Sequence, residues 1–351
     1  MDFRFSEEQE ELRRQARAFL ERRFPPSALG PTVDSEPGWD PSTWREIADL
    51  GWLGVSVPEE RGGAGLGYLE EAILIEEFGR RLYPGPYLAA VGLARPAIPE
   101  DQLPDLAQGR VRWSLCDSVG SRLVPNLMAV DRVVVAGEDE LFSVAAVGQP
   151  LASIDATRPM GRLELGPDRE LLASGAPAAE LLMRLRLRKL SALALEAVGL
   201  AQQVLEWGVE HARTREQFEK KIGSYQAVSH PLVNSFVEIE LARSLAYWAA
   251  WLLAGGREDG QVGAPAAYAA AAEAAVATCE RVIQVHGGMG FTWESPLHRY
   301  YKRALWIQHF GGPPDLHRAR VARQLMLSSE SRPSASGAAP GVLQGGTRPW
   351  A

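Results

Sequence analysis

The stretch QVHGGMGFTWESPLHRYYKRA (residues 284–304) decides how the rest of the chain is read. It opens as the end of a helix, with Gln284 just ahead of the paired Gly287 and Gly288. Glycine at a helix end acts as a stop, because it alone takes the left-handed conformation without strain. Paired glycines also leave backbone bare, so a ligand can approach it. Upstream lies RTREQFEKKIGSYQAVSH (213–230), where one helix ends and the chain crosses to the next. That crossing gathers Arg215, Gln217 and Phe218. A guanidinium fork suits a pyrophosphate, an amide can bond a polar edge, and a phenyl ring can cover an aromatic one. Alone, either stretch reads equally as a helix stop or a charged interhelix loop. Their order and spacing together single them out.

Working outward, the chain reads as helical from about Ala179. Residues 190–212 form one long helix, and Pro231 is placed at the opening of a second. Val233, Phe236, Val237, Leu241, Leu245, Trp248 and Leu252 follow at steps of three and four, an apolar seam of helical period. Pro265 opens an alanine-rich third helix that ends at the paired glycines, and Pro313 and Pro314 precede a fourth through Leu327. Four helices with short links predict a bundle over 179–327. At the other end, Ser6 and Gln9 form a capping box, with Phe5 placed to staple the first turn. Further helices at 40–51 and 68–82 flank the glycine-rich VPEERGGAGLG (57–67), so 1–108 reads as a helical domain. Between the two, 109–178 is short, partly β-branched and punctuated by proline and glycine. RVVVAGEDELFSVAAV (132–147) reads there as a hairpin turning at Gly137–Glu140. The expected fold is mainly α with a small β domain. The tail 328–351, rich in Ser, Gly, Pro and Ala, is expected to be disordered.

The net charge of −7 argues against a general nucleic-acid binder. The two cysteines, Cys116 and Cys279, form no CxxC pattern, which fits a reducing cytosol better than a disulfide framework. All six histidines lie beyond residue 210 without metal-ligand spacing, so zinc is not expected. The start is charged from Asp2, unlike a secretory signal, and LAYWAAWLLAGG (245–256) is too short to span a bilayer. A soluble cytoplasmic protein is expected.

Taken together, the two opening stretches resemble the C-terminal signature of the acyl-CoA dehydrogenase family. MDFRFSEEQEELR, LGWLGVSVPEERGGAGLG and EEFGRRLYPGPYL look like that family's first helical domain. The resemblance covers residues 1 to about 326 and is weakest in the middle. It implies an N-terminal helical domain, a middle β domain and a C-terminal four-helix bundle, with FAD as cofactor and an acyl-CoA thioester as substrate. In that reaction a base removes the proton α to the thioester carbonyl and the β hydrogen leaves as hydride to the flavin. The family's usual base is a glutamate in an apolar pocket, where burial raises its pKa. By the resemblance its position falls here on Gly311, in HFGGPPD. The alternative family position falls near Lys189. Neither is a carboxylate.

The middle domain also departs from the pattern. WSLCDSVGSRLVPNL (113–127) stands where flavin-ring motifs are usual, whereas SIDATRPMGRLEL (153–165) looks like the family's shortened members. In family homodimers each FAD lies across two subunits. One supplies the ring-binding β domain and the base, the other the Arg, Gln, Phe and HGG elements. This chain keeps the second set as Arg215, Gln217, Phe218, Gln284, Gly287 and Gly288, and lacks the first. It therefore resembles the small subunit of bacterial heteromeric acyl-CoA dehydrogenases, several of which act on steroid side chains. One departure is Glu219, where glycine usually follows the phenylalanine; pairing with Lys220 or Lys221 would make it tolerable beside a pyrophosphate. The expectation is a subunit for FAD-dependent α,β-dehydrogenation that contributes half an FAD site to a catalytic partner. Two alternatives stand beside it. One is an autonomous dehydrogenase with its base moved to Glu196 or His309; the other is a flavin-free assembly protein of the same fold. Glu196 also reads as a structural acid, and Asp315 as a helix N-terminal one. The basic MRLRLRK (183–189) could meet a CoA phosphate, an acidic partner face or only solvent.

Overall fold

A computed structural model describes residues 4–330. The N-terminal part holds α1 (Glu7–Arg23), α2 (Pro26–Asp34), α3 (Pro41–Asp49), α4 (Tyr68–Arg80) and α5 (Leu103–Ala107), with a π-helical turn at Leu88–Ala94. The capping box forms: Gln9 N donates to Ser6 Oγ at 3.2 Å and Ser6 N to Gln9 Oε1 at 3.0 Å. Phe5 does not staple that turn, because a staple needs an apolar partner at the position held by Glu10. Its ring meets Tyr247 edge-on at 4.8 Å instead. The helix α2 is not among the helices read from the sequence. Its Pro26 sits at the first position, where a missing N–H costs nothing.

The middle part holds β1 (Trp113–Cys116), β2 (Leu123–Pro125), β3 (Arg132–Ala136), β4 (Glu140–Ala145), β5 (Gly148–Leu151), β6 (Met160–Leu163) and β7 (Glu170–Ser174). They make two small sheets, ordered β1-β3-β4-β7 and β2-β6-β5. The expected hairpin is β3–β4, with Val134 opposite Ser143 and Ala136 opposite Leu141. Strand alternation divides the apolar residues between two cores. Trp113, Leu115, Val134 and Leu141 join the main core with the helices. Cys116, Val133, Val135, Phe142 and Val144 pack with Leu127 and Leu163 in a second, smaller cluster.

The C-terminal part is α6 (Gly175–Thr214), the two-residue strands β8 (Glu216–Gln217) and β9 (Lys220–Lys221), α7 (Gln226–Ala254), α8 (Gly260–His286), α9 (Leu297–Phe310) and α10 (Pro314–Glu330). Three helices begin earlier than the sequence suggests. Pro231 and Pro265 lie inside α7 and α8 rather than at their starts, and α6 is already helical at Gly175. The sequence reading leaves α9 unassigned. α10 runs to Glu330 and takes in the first three residues of the tail expected to be disordered; 331–351 lie outside the described residues.

The apolar seam of α7 is also corrected. The face turned inward carries Leu232, Ser235, Ile239, Ala242, Ala246, Ala249 and Ala250, small enough to let α8 approach closely. Val233, Phe236, Val237 and Leu241 point outward, with Phe236 52 % and Leu241 62 % exposed.

The helices α4 and α6 cross at two glycines. A Cβ at Gly199 would lie 1.9 Å from the Glu76 carbonyl, and one at Gly79 would lie 2.5 Å from that of Glu196. Gly199→Ala must push the two backbones apart. It is expected to cost about 1–3 kcal/mol or more, read as a lower denaturant midpoint.

Candidate functional site

The two glycine- and arginine-bearing stretches leave the bundle from neighbouring helix ends. His211, near the end of α6, stacks on His286, the last residue of α8, with ring centroids 4.2 Å apart. Beyond α6, Glu216–Gln217 pair with Lys220–Lys221 as a two-residue hairpin. Both tip residues, Phe218 (φ 53°) and Glu219 (φ 62°), are left-handed, which is the backbone a tight hairpin of this kind requires. Glycine would adopt it freely; Glu219 adopts it at a steric cost. The tip lifts Phe218 into solvent, 86 % exposed. Lys221 pairs with Glu216 at 2.5 Å, so it is Glu216, not Glu219, that takes this lysine. The Arg215 and Gln217 side chains are exposed, and the Gln217 amide donates to Glu216 O at 2.8 Å.

Beyond α8, Gly287 is left-handed (φ 63°) and caps the helix. A Cβ at Gly287 or at Gly288 would meet nothing within 4 Å, so this backbone faces open space. Gly290 differs, since a Cβ there would sit 2.7 Å from Ile283 O. Gln284 is exposed beside the open pair, and Met289, Phe291 and Trp293 are exposed just past it. Arg215 has no carboxylate partner among the described residues.

The positions expected for a base look different. Gly311 has ordinary helical φ (−79°), so its backbone would accept any residue. The obstacle is space: a Cβ there would lie 2.2–2.4 Å from the ring and hydroxyl atoms of Tyr268. Tyr268 is anchored by its hydroxyl, whose single proton has three carbonyl oxygens within reach as acceptors, Ile307 at 3.0 Å and Gln308 and Gly312 at 2.9 Å. Lys189 is buried, ion-paired with Asp117 at 2.7 Å, and stands 3.8 Å over the Phe310 ring. The sequence reading missed Tyr268. The available signal was one bulky residue inside an alanine run, AAYAAAAEAA.

Glu196 lies in a buried ionic network. Its Oε1 accepts from Arg303 at 2.7 Å and also from Arg158. Arg303 further donates to Asp155 and to Thr157 O at 2.8 Å and Oγ1 at 2.7 Å. Burial and the nearby Arg303 charge pull the Arg158 guanidinium down to about 10. Both guanidiniums engage Glu196 Oε1 from within the core, so the carboxylate is enclosed by protein and not turned toward a substrate. His309 is exposed and turned back on its own helix, with Nδ1 2.8 Å from Leu305 O. Asp315, at the start of α10, pairs with Arg318 at 2.6 Å. No metal-binding group of His, Cys, Asp or Glu occurs among the described residues, and no described helix is long and apolar enough to cross a membrane.

Sequence models for the acyl-CoA dehydrogenase N-terminal and C-terminal domains match residues 6–100 and 183–326. The acyl-CoA dehydrogenase IpdE2 of Mycobacterium tuberculosis is 33% identical over 305 residues, covering 85% of this chain and 91% of that protein. This chain belongs to the acyl-CoA dehydrogenase family. IpdE2 of Mycolicibacterium smegmatis is 30% identical over 321 residues, covering 88% of this chain and 96% of the relative. Among solved structures, the steroid acyl-CoA dehydrogenase Tcur3481-Tcur3483 superposes with a TM-score of 0.84 at 27% identity, over 93% of this chain and 99% of that one. The ChsE4-ChsE5 complex of Mycobacterium tuberculosis shares the fold with a TM-score of 0.85 at 23% identity, over 95% and 100%.

Two outcomes follow. Glu196→Gln leaves two buried guanidiniums short of their counter-charge and should cost about 3–5 kcal/mol of stability, measured by urea unfolding; a base with no structural duty would leave the midpoint in place. For His211, burial, His286 and Arg215 hold the imidazole below its ordinary value of 6.5. The folded state therefore favours the neutral ring, so stability is present above that value and is lost as pH falls toward the lower folded value. His211→Phe should shrink the loss of midpoint between about pH 7.5 and about pH 5.

Proposed function

We propose that this chain is the half-site subunit of a heteromeric, FAD-dependent acyl-CoA dehydrogenase. It lends the diphosphate-and-adenine side of an FAD site to a partner that carries the base. The observation that carries the reading is the contrast between the two candidate regions. The Arg215, Gln217, Phe218, Gln284, Gly287 and Gly288 set is exposed and open, while the Tyr268 ring fills the space a side chain at Gly311 would need. One side is built to be completed from outside; at the other, Tyr268 stands where a side chain at Gly311 would go.

The exposed set fits FAD chemically. Arg215 has no carboxylate partner among the described residues and can take a phosphate bidentately. The bare backbone at Gly287–Gly288 admits a phosphate or ribose without a Cβ in the way. Phe218 and the Gln217 and Gln284 amides offer an apolar cover and polar edges. FAD, when bound, supplies the acceptor for the hydride that leaves the acyl β carbon. The work of this chain is to hold the cofactor's distal end and to exclude water there.

A partner subunit also answers the outward face of α7. Val233, Phe236, Val237 and Leu241 form a helical apolar stripe that stays about half exposed or more. The solved relatives named as two-component complexes, Tcur3481-Tcur3483 and ChsE4-ChsE5, favour a second, different subunit. The first, described as a steroid acyl-CoA dehydrogenase, favours a steroid-derived acyl-CoA as the substrate class of the complex.

In the complex co-purified with a full-length family partner, Arg215→Ala should lower FAD occupancy by about tenfold or more while melting stays within about a degree of wild type. Unchanged flavin content would overturn the assignment of the hairpin to the cofactor.

A further inference from the structure

The two stretches assigned to the cofactor meet through a pair of imidazoles. His211 and His286 stack with ring centroids 4.2 Å apart and planes 21° from parallel. One helical turn earlier, α6 and α8 already touch: a Cβ at Gly208 would lie 2.7 Å from the Val282 side chain. The stack therefore stands at the helix ends, just before each chain leaves the bundle. His211 is four residues ahead of Arg215, and its backbone carbonyl accepts the Arg215 N–H at 2.9 Å. Thr214 Oγ1 donates to the same carbonyl at 3.3 Å. His286 directly precedes Gly287, and a Cβ at Gly290 would lie 3.2 Å from its Cβ, so the segment past the paired glycines folds back on it. Each imidazole sits at the root of one half of the candidate cofactor set.

An apolar pair would join the helix ends as well; two imidazoles add a change of charge between about pH 5 and about pH 8. His286 Nδ1 lies 2.8 Å from Val282 O, and a carbonyl only accepts, so Nδ1 carries a hydrogen and Nε2 is the atom left to titrate. A hollow of about 370 Å³ beside the rings opens them to solvent protons. Its far side is Pro26 of α2 and Ser295, Pro296 and Leu297, none of them charged. On α6, Glu210 borders the hollow and Arg215 acts on His211 from the helix end. Neither Arg215 nor the paired glycines line the hollow, so the rings act through the helix ends and not by touching the cofactor. Burial, His286 and Arg215 all resist a positive charge on His211.

We propose that the stacked His211 and His286 are positioning residues of the cofactor half-site: neutral, they hold the Arg215 hairpin and the Gly287–Gly288 backbone at one spacing; charged together, they repel and let the two helix ends part. This rests on the half-site reading above. The stacked arrangement resists the charge, so FAD affinity is full above the ordinary imidazole value of 6.5 and falls as pH drops through the lower value in the folded protein. An imidazolium in contact with the diphosphate would give the opposite sign, because its charge would strengthen binding as pH falls.

The test is the FAD dissociation constant of the complex with a full-length family partner, read by flavin fluorescence at about pH 7.5 and about pH 5. Wild type is compared with His211→Phe and His286→Phe, made separately; phenylalanine keeps a stacked ring and takes no proton. The wild-type complex should bind FAD about tenfold more weakly at the lower pH, and each variant about threefold or less. Groups on the partner titrate alike in every form, so the difference belongs to the pair. One variant whose melting matches wild type at about pH 7.5 suffices. Arg215→Ala separates the two claims. Unchanged FAD affinity in Arg215→Ala overturns the half-site reading and this proposal with it. Weakened binding in Arg215→Ala, with the wild-type pH dependence kept in the phenylalanine variants, overturns the stack proposal alone. Wild-type binding that tightens or stays level as pH falls overturns it too.

Discussion

Two buried guanidiniums and two buried carboxylates hold this molecule together. Arg303 of α9 reaches Asp155 and Thr157 on the turn before β6 and also Glu196 of α6, and Arg158 of the same turn closes on Glu196. Burying any one of these ions alone would cost several kcal/mol. Buried together they offset one another's charge only when the β part, α6 and α9 stand in one arrangement, even though Glu196 Oε2 and two Arg158 nitrogens remain without a partner. That requirement fixes how the small sheets lie against the bundle. It also gives Glu196 a structural duty that a substrate-facing acid could not share.

The same economy of space shapes the candidate site. The α4–α6 crossing is tight because Gly79 and Gly199 remove side chains where backbones touch. Gly311 is bare for a different reason: the Tyr268 ring occupies the place a side chain would need, and its hydroxyl has three carbonyl oxygens within reach at the α9–α10 corner. A single substitution at Gly311 would not install a base there, because Tyr268 would have to leave as well. The exposed features lie on the hairpin tip, at the paired glycines and along the outer face of α7. The chain has no free carboxylate at either expected base position, and its exposed groups stand where a cofactor or partner could add.

Much of this was legible in the sequence, and the failures have physical causes. Local signals read well. The Ser6–Gln9 box, the β3–β4 hairpin and the glycine stop at Gly287 each depend on neighbours in the chain. Proline was over-read: Pro231 and Pro265 are tolerated early within helices, so neither marked a start. The α7 seam was right at one end and wrong at the other: Leu252 is buried and Leu245 packs on the core, while Val233, Phe236, Val237 and Leu241 face outward. Periodicity finds an apolar face without saying whether the chain's own core or another molecule covers it, and here the alanine face won the inner position. Gly311 was visible as a missing carboxylate. That Tyr268 fills its place was not, because the two residues meet only through the fold of α8 against α9 and α10.

The central claim is that this chain carries one side of a flavin site and needs a second subunit for the other. The most direct measurement is the visible absorption spectrum of the purified chain, alone and after co-purification with a full-length family partner. The account predicts a colourless lone chain and a flavin spectrum in the complex. A stoichiometric flavin spectrum in the lone chain would contradict it.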